Sequence, residues 1–154
     1  MEHIIPKSVS PELAHEWNNM TNACERCNIG KGNYYDATHP FVDPYAPGVE
    51  LRITAQGAIV DWLRGDQGAE ITVGRLGLNR YELVTSRITR INHMRALVER
   101  WHTSASTLKQ VLEETIIRET IEGEFTQTVV WLLHVHHFPL PAHLAPEGIV
   151  VDVA

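Results

Sequence analysis

Between Glu2 and Asn33 the chain concentrates polar chemistry that a hydrophobic core has no use for. The stretch runs Glu2-His3-Ile4-Ile5-Pro6-Lys7-Ser8, then Trp17-Asn18-Asn19-Met20, then Cys24-Glu25-Arg26-Cys27-Asn28-Ile29-Gly30-Lys31-Gly32-Asn33. Its local signals constrain one path. Glu2 to Ile5 is a short β-prone run closed by Pro6, because proline cannot donate to a ladder. Residues 6–18 read as a connecting loop, with Ser10-Pro11-Glu12 as a turn or one-turn helix start, and Met20 to Ala23 as a second short strand. A helix is expected from Cys24 to about Lys31, ended by Gly32.

The acid–histidine pair, the asparagine and the Cys-x-x-Cys-Asn-x-x-Lys-Gly run, in that order and spacing, resemble the HNH, or ββα-metal, endonucleases. The resemblance implies an α+β protein: an N-terminal ββα-metal HNH core at residues 1–40, followed by a small antiparallel sheet and a helical lobe over 41–154, packed together as one compact unit. It also implies roles. His3 is the general base, and an imidazole that titrates near 6.5 suits that task at neutral pH. Asn19 fixes the loop and, through it, the ring of His3. Glu2 and Asn28 are the metal ligands; both are oxygen donors, which suits magnesium or manganese better than a soft metal. Lys31, one helical turn after Asn28, and Lys7 are phosphate contacts. The bound cation acts as Lewis acid and template for the phosphate and the leaving oxygen. Glu2 stands where many such proteins carry aspartate, a change of reach but not of ligand type.

Asp43-Pro44-Tyr45, following the Lys-Gly motif, is similar to HNH proteins linked to phage defence, among them the nuclease subunit of Septu-type systems. That branch implies a protein partner such as a defence ATPase. The net charge of −6 argues against a generic DNA-coating protein. Any grip on nucleic acid, with DNA favoured over RNA, is therefore local, through the metal and a few cations, or shared with the partner. The absence of a long apolar run argues against a membrane span. A start without basic or apolar regions argues against a secretory signal, which points to the cytoplasm.

The sequence holds two cysteines, Cys24 and Cys27. In a reducing compartment this spacing points to a metal or redox site, and no βαβ alternation surrounds it, so half of a structural zinc site is the reading. Structural zinc takes four ligands. Three explanations stay open: the natural start lies upstream of Met1, His15 or His39 completes the site, or the cysteines pack as small hydrophobes. A first strand without an anchor frays, which makes a weak or idle nuclease that binds nucleic acid or a partner the alternative function. A zinc deaminase fits poorly, since Ala23 rather than proline precedes Cys24 and the acid precedes the histidine.

Beyond the motif, residues 34–48 form a proline-rich strap that Phe41, Val42 and Tyr45 are expected to pin. Strand signals fall at Val49–Ile53, Ala58–Trp62 and Ala69–Val73, with turns at Gly57 and Gly65–Gly68. From Asn79, a candidate cap with Glu82 three residues on, Val84, Ile88, Ile91, Met94, Val98 and Trp101 recur at helical steps. Arg80, Arg87 and Arg90 are expected on the solvated face. A second helix fits 105–121 with Leu108, Leu112, Ile116 and Ile121 inward, and Gly123 separates it from an apolar segment at Phe125–Val135. His134, His136 and His137 read as tail histidines rather than ligands, before an extended tail from Pro139.

Overall fold

The computed structural model describes residues 1–144. It is an α+β chain of six helices and two small antiparallel sheets. The chain forms two compact units: residues 1–52 with 62–79, and residues 53–61 with the chain from Arg80.

The first unit opens with β1 (Glu2–His3) and β2 (Met20–Thr21), paired antiparallel with Glu2 opposite Thr21 and His3 opposite Met20. The loop between them makes two 3₁₀ turns, Pro11–Leu13 and Trp17–Asn19. Helix α1 (Glu25–Lys31) follows, with Cys24 at its N-cap and Gly32 at φ 51° as its C-cap. The strand–loop–strand–helix order expected from the sequence is the order observed.

Two expected strands are helices. Val49–Arg52 forms the single turn α2, and Gln67–Arg75 forms α3. The cause in α3 is local: the Asp66 carboxylate accepts from Ala69 N at 3.0 Å, capping the helix. Gly68, Ala69, Thr72 and Val73 then recur at steps of three and four and are buried; a short apolar run does not by itself distinguish strand from helix. Arg52 grips the same carboxylate through two bonds of 2.7 and 2.9 Å and holds its pKa down to about 2, with the Ala69 amide adding to the effect.

Helix α1 packs on α3. Gly30 permits the approach, since a Cβ there would collide with the Arg75 carbonyl oxygen. The strap is pinned by Val42, buried, whose amide donates to the Thr72 hydroxyl at 2.9 Å. Phe41 packs on Tyr34 with ring centroids 5.0 Å apart, and the Arg75 guanidinium covers the Tyr34 ring at 4.3 Å. Tyr45, expected to pin the strap, is instead 67% exposed.

The second unit holds the hairpin β3 (Ile53–Gln56) and β4 (Ile59–Trp62, its last residue in the first unit) and the helices α4 (Tyr81–Thr103), α5 (Ser106–Glu122) and α6 (Thr126–Val135). Helix α4 packs on α5 and α6, and α6 on β3. Ile91, Met94, Val98 and Trp101 of α4, Leu112 and Ile116 of α5, and Val129, Leu132 and Leu133 of α6 form the core, with Phe138 beyond.

Three expectations about these faces change. Ile88 is exposed and Arg87 is buried in its stead, donating to the Ala58 carbonyl at 3.2 Å and lying 5.5 Å from the Phe125 ring centroid. Its planar, weakly hydrated guanidinium tolerates this, although burial pulls its pKa down. Arg90 is drawn onto α5, where Glu119 accepts from it through side chain and backbone at 2.7 and 2.6 Å. Leu108 and Ile121 are exposed; the buried row of α5 is Leu112, Ile116 and Thr120, whose hydroxyl is satisfied by the Ile116 carbonyl at 2.7 Å. Helix α4 begins at Tyr81 with Arg80 at its N-cap, one residue later than expected. Ala142–Leu144 is a 3₁₀ turn within the expected extended tail, and the tail from residue 145 lies outside the described residues.

Candidate functional site

Asn19 is the residue on which the N-terminal loop hangs. It is buried, and its carboxamide uses both ends: Oδ1 accepts from Ile5 N at 2.8 Å, while Nδ2 donates to the carbonyls of Ile5 at 3.0 Å and Leu13 at 3.2 Å. Its own carbonyl accepts from Ile4 N at 2.8 Å. One side chain thus ties the end of β1 to the first 3₁₀ turn, and the 6–18 loop returns to β1.

That return has a consequence for His3. Its Nε2 lies 3.0 Å from the Ala14 carbonyl oxygen. A carbonyl is an acceptor and nothing else, so the bond requires the proton on Nε2. In the neutral ring Nδ1 then carries the lone pair, and the tautomer is set by the loop that Asn19 holds.

Glu2 faces a different neighbour. Its Oε1 accepts from His3 N at 2.9 Å and lies 3.7 Å from the Lys31 ammonium. Lys31 is buried at 7% exposure, with Gly32 O as a further acceptor at 3.4 Å. A lysine this deep needs a counter-charge, and Glu2 supplies it across the gap between β1 and α1. The pair stands at the rim of a cavity of about 220 Å³ that Thr21, Cys24, Cys27, Phe41 and Val42 help to wall.

Of the residues singled out in the sequence, the cavity gathers Glu2, Cys24, Cys27 and Lys31. His3 and Asn19 form their own cluster around the loop, on the far side of β1 from Glu2, because successive strand side chains point to opposite faces. Asn28 and Lys7 are exposed and do not line the cavity. Lys31 falls with Cys27 and Gly30 on the covered side of α1, whereas Asn28, one turn earlier, is exposed.

Cys24 Sγ accepts from Cys27 N at 3.4 Å, a thiol acting as helix cap, and Cys27 Sγ lies 3.9 Å from the Leu76 carbonyl. His39 pairs with Asp36 at 3.2 Å and His15 is exposed. Among the described residues no group of three or more His, Cys, Asp or Glu side chains is arranged to hold a metal. The donors suited to a hard cation are the Glu2 carboxylate and the Asn28 carboxamide oxygen. Opposite Glu2 there is also a hydroxyl that motif reading overlooked. Thr21 Oγ1 is buried and makes no hydrogen bond. Threonine in a β-prone run carries no signal of its own; its value comes from standing across the ladder from Glu2. By chemical type these oxygens are donors for a hard cation rather than a soft one.

The match to a protein family falls on this same segment. Residues 1–34 match the family model described as HNH endonuclease. Residues 1–34 are an HNH-family segment. A stretch of 44 residues is 36% identical to the Septu protein PtuB of Bacillus thuringiensis, covering 29% of this chain and 17% of that protein. The chain is therefore similar over that stretch to a Septu protein, and the match spans about a sixth of that relative's length. No solved structure matches the chain.

Proposed function

We propose that the HNH segment is a metal-dependent endonuclease that hydrolyses phosphodiester bonds in DNA, built as a ββα-metal core. The carrying observation is the bond from His3 Nε2 to the Ala14 carbonyl, which leaves Nδ1 as the proton acceptor. His3 takes the proton of the attacking water through Nδ1, and Asn19 holds the ring for it. Glu2 and Asn28 hold one divalent cation, magnesium or manganese. When bound, that cation supplies Lewis acidity at the phosphate and the leaving oxygen. The exposed amine of Lys7 approaches the phosphate backbone from solvent. Lys31 is buried against Glu2 and reaches a phosphate only after leaving that carboxylate.

The likeness to a Septu protein extends the reading to phage defence and to a protein partner, such as a defence ATPase, that brings the nuclease to its substrate. No helix among the described residues is long and apolar enough to cross a membrane. The test is plasmid cleavage by the chain in magnesium or manganese beside His3→Ala. Metal-dependent nicking lost in His3→Ala is the expected result; cleavage that persists in the variant refutes the assignment of the base.

Two observations favour a second reading, a catalytically idle HNH-like module that binds nucleic acid or a partner. Lys31 already engages the Glu2 carboxylate, and Glu2 and His3 flank β1 rather than share one face. Salt-sensitive DNA binding without cleavage in either metal would establish it.

A further inference from the structure

The 3₁₀ turn Trp17–Asn19 turns one residue inward and another outward. Asn19 is buried at 5% exposure, whereas Trp17, two residues earlier, is 73% exposed. An indole exposed to this extent leaves apolar surface in water that burial would remove, and nothing in the loop's hydrogen bonding requires it. Trp17 borders a second cavity of about 370 Å³, whose wall also includes the exposed ring of Tyr45 and the side chains of Asn18, Asn22, Thr21 and Asp43. The volume lies within the roughly 300–1,000 Å³ of small-ligand sites.

The chemistry of this wall narrows the occupant. Two aromatic rings offer faces for stacking, and two carboxamides offer both donors and acceptors. Thr21 lines both this cavity and the one at Glu2. Asp43 is the charged side chain in the wall, and no lysine or arginine lines it, which disfavours a phosphate. Its carboxylate is fixed by accepting from Tyr45 N at 2.9 Å. A flat heterocycle with an exocyclic amine satisfies all of these groups together: the rings take its face and the carboxylate its amino edge. The site adjoins the candidate nuclease residues, for two residues of its wall are neighbours of His3: Ile4 follows it and Met20 is its cross-strand partner.

We infer that the Trp17–Tyr45 cavity is a nucleobase subsite that receives one unstacked base, making single-stranded or locally unpaired nucleic acid the substrate class of the nuclease reading on which this inference rests. A base inside a duplex cannot enter, because its faces are already stacked on its neighbours. Bases that carry an exocyclic amine, cytosine, adenine and guanine, are favoured over thymine.

The experiment measures binding of fluorescein-labelled 12-nucleotide oligo(dC), oligo(dT) and a mixed-sequence duplex to the full chain in EDTA, so that no cleavage intervenes. Trp17→Ala weakens oligo(dC) binding about 5- to 150-fold, the range that stacking on one aromatic side chain supplies. Trp17→Phe retains most of the affinity, the duplex is unaffected, and Asp43→Asn narrows the preference for oligo(dC) over oligo(dT). Because Trp17 is exposed, the variants are expected to keep the wild-type circular dichroism and Tm. Equal weakening of single strand and duplex, or none, overturns the subsite. Cleavage is scored separately in manganese. The single-strand effect without any cleavage leaves the subsite standing and removes the nuclease reading; cleavage without the effect does the reverse.

Discussion

Replacing Glu2 and Lys31 singly and together tests whether the carboxylate assigned to the metal is also the counter-charge of a buried lysine. At 3.7 Å and an effective dielectric near 20, the Coulomb attraction is about 4 kcal/mol. Desolvating the ammonium offsets much of it, although the Glu2 side chain keeps 18% of its exposure and some hydration. A net coupling of about 1–3 kcal/mol is expected from the double-mutant cycle of Glu2→Gln, Lys31→Met and the pair. At this chain length each kcal/mol corresponds to about 2–4 °C in Tm. Each single variant therefore melts several degrees below wild type in EDTA, and the double variant recovers part of the loss. Manganese adds the second half of the test. The Lys31 ammonium repels a cation at Glu2, so Lys31→Met should tighten manganese binding roughly tenfold, about 1.4 kcal/mol. Glu2→Gln should abolish it, read by calorimetry and by the metal-dependent rise in Tm. Additive single effects, or manganese binding indifferent to both residues, would refute the shared-carboxylate reasoning.

Three further outcomes follow from the geometry. Asn19→Ala removes three hydrogen bonds and leaves partly buried groups of Ile5 and Leu13 unmatched, a loss of about 1–3 kcal/mol by denaturant titration; in the cleavage assay it should lower kcat more than KM. Asp66 titrates at about 2 when folded against 3.8 as its ordinary value, so its contribution is complete above about pH 4 and is lost as pH falls toward 2. That contribution is at most about 2 kcal/mol and nearer 1 after the screening that a 41% exposed Arg52 side chain permits; Asp66→Asn should flatten this part of the acid denaturation curve. Met94→Ala, at a fully buried site, should cost about 2–5 kcal/mol in urea unfolding.

The order of elements around the motif was legible because its punctuation is local. Pro6 stops a strand, Cys24 and Gly32 bracket a helix, and each acts through its nearest neighbours. The helical unit was legible for the same kind of reason, a repeat at steps of three and four from Ile91 to Trp101. What was not legible depended on partners distant in sequence. Ala69–Val73 is the exception, a helix started by the local Asp66 cap that a short apolar run does not reveal. Arg87 went inward because the Ala58 carbonyl and the Phe125 ring were there to receive it. Spacing identified Lys31 as a cation near a candidate metal ligand but not as a buried one, since burial depends on where Glu2 lies across the gap.

The same distinction governs how the site works. Apart from Lys7, loop 6–18 contributes no charged group to the proposed chemistry, yet it supplies the Ala14 carbonyl that sets the His3 tautomer, and the Asn19 side chain holds it closed. A substitution in this loop that leaves His3 and Glu2 untouched can therefore remove the base, by freeing Nε2 and letting the proton move to Nδ1. Deleting loop residues between Leu13 and Trp17 is a sharper perturbation of function than mutating exposed Lys7. It should abolish cleavage while leaving the core of the helical unit intact, as read by protection of the Met94 and Val98 amides from hydrogen exchange. Retained cleavage after such a deletion would mean that the histidine acts without the carbonyl, and the proposed base would lose its structural support.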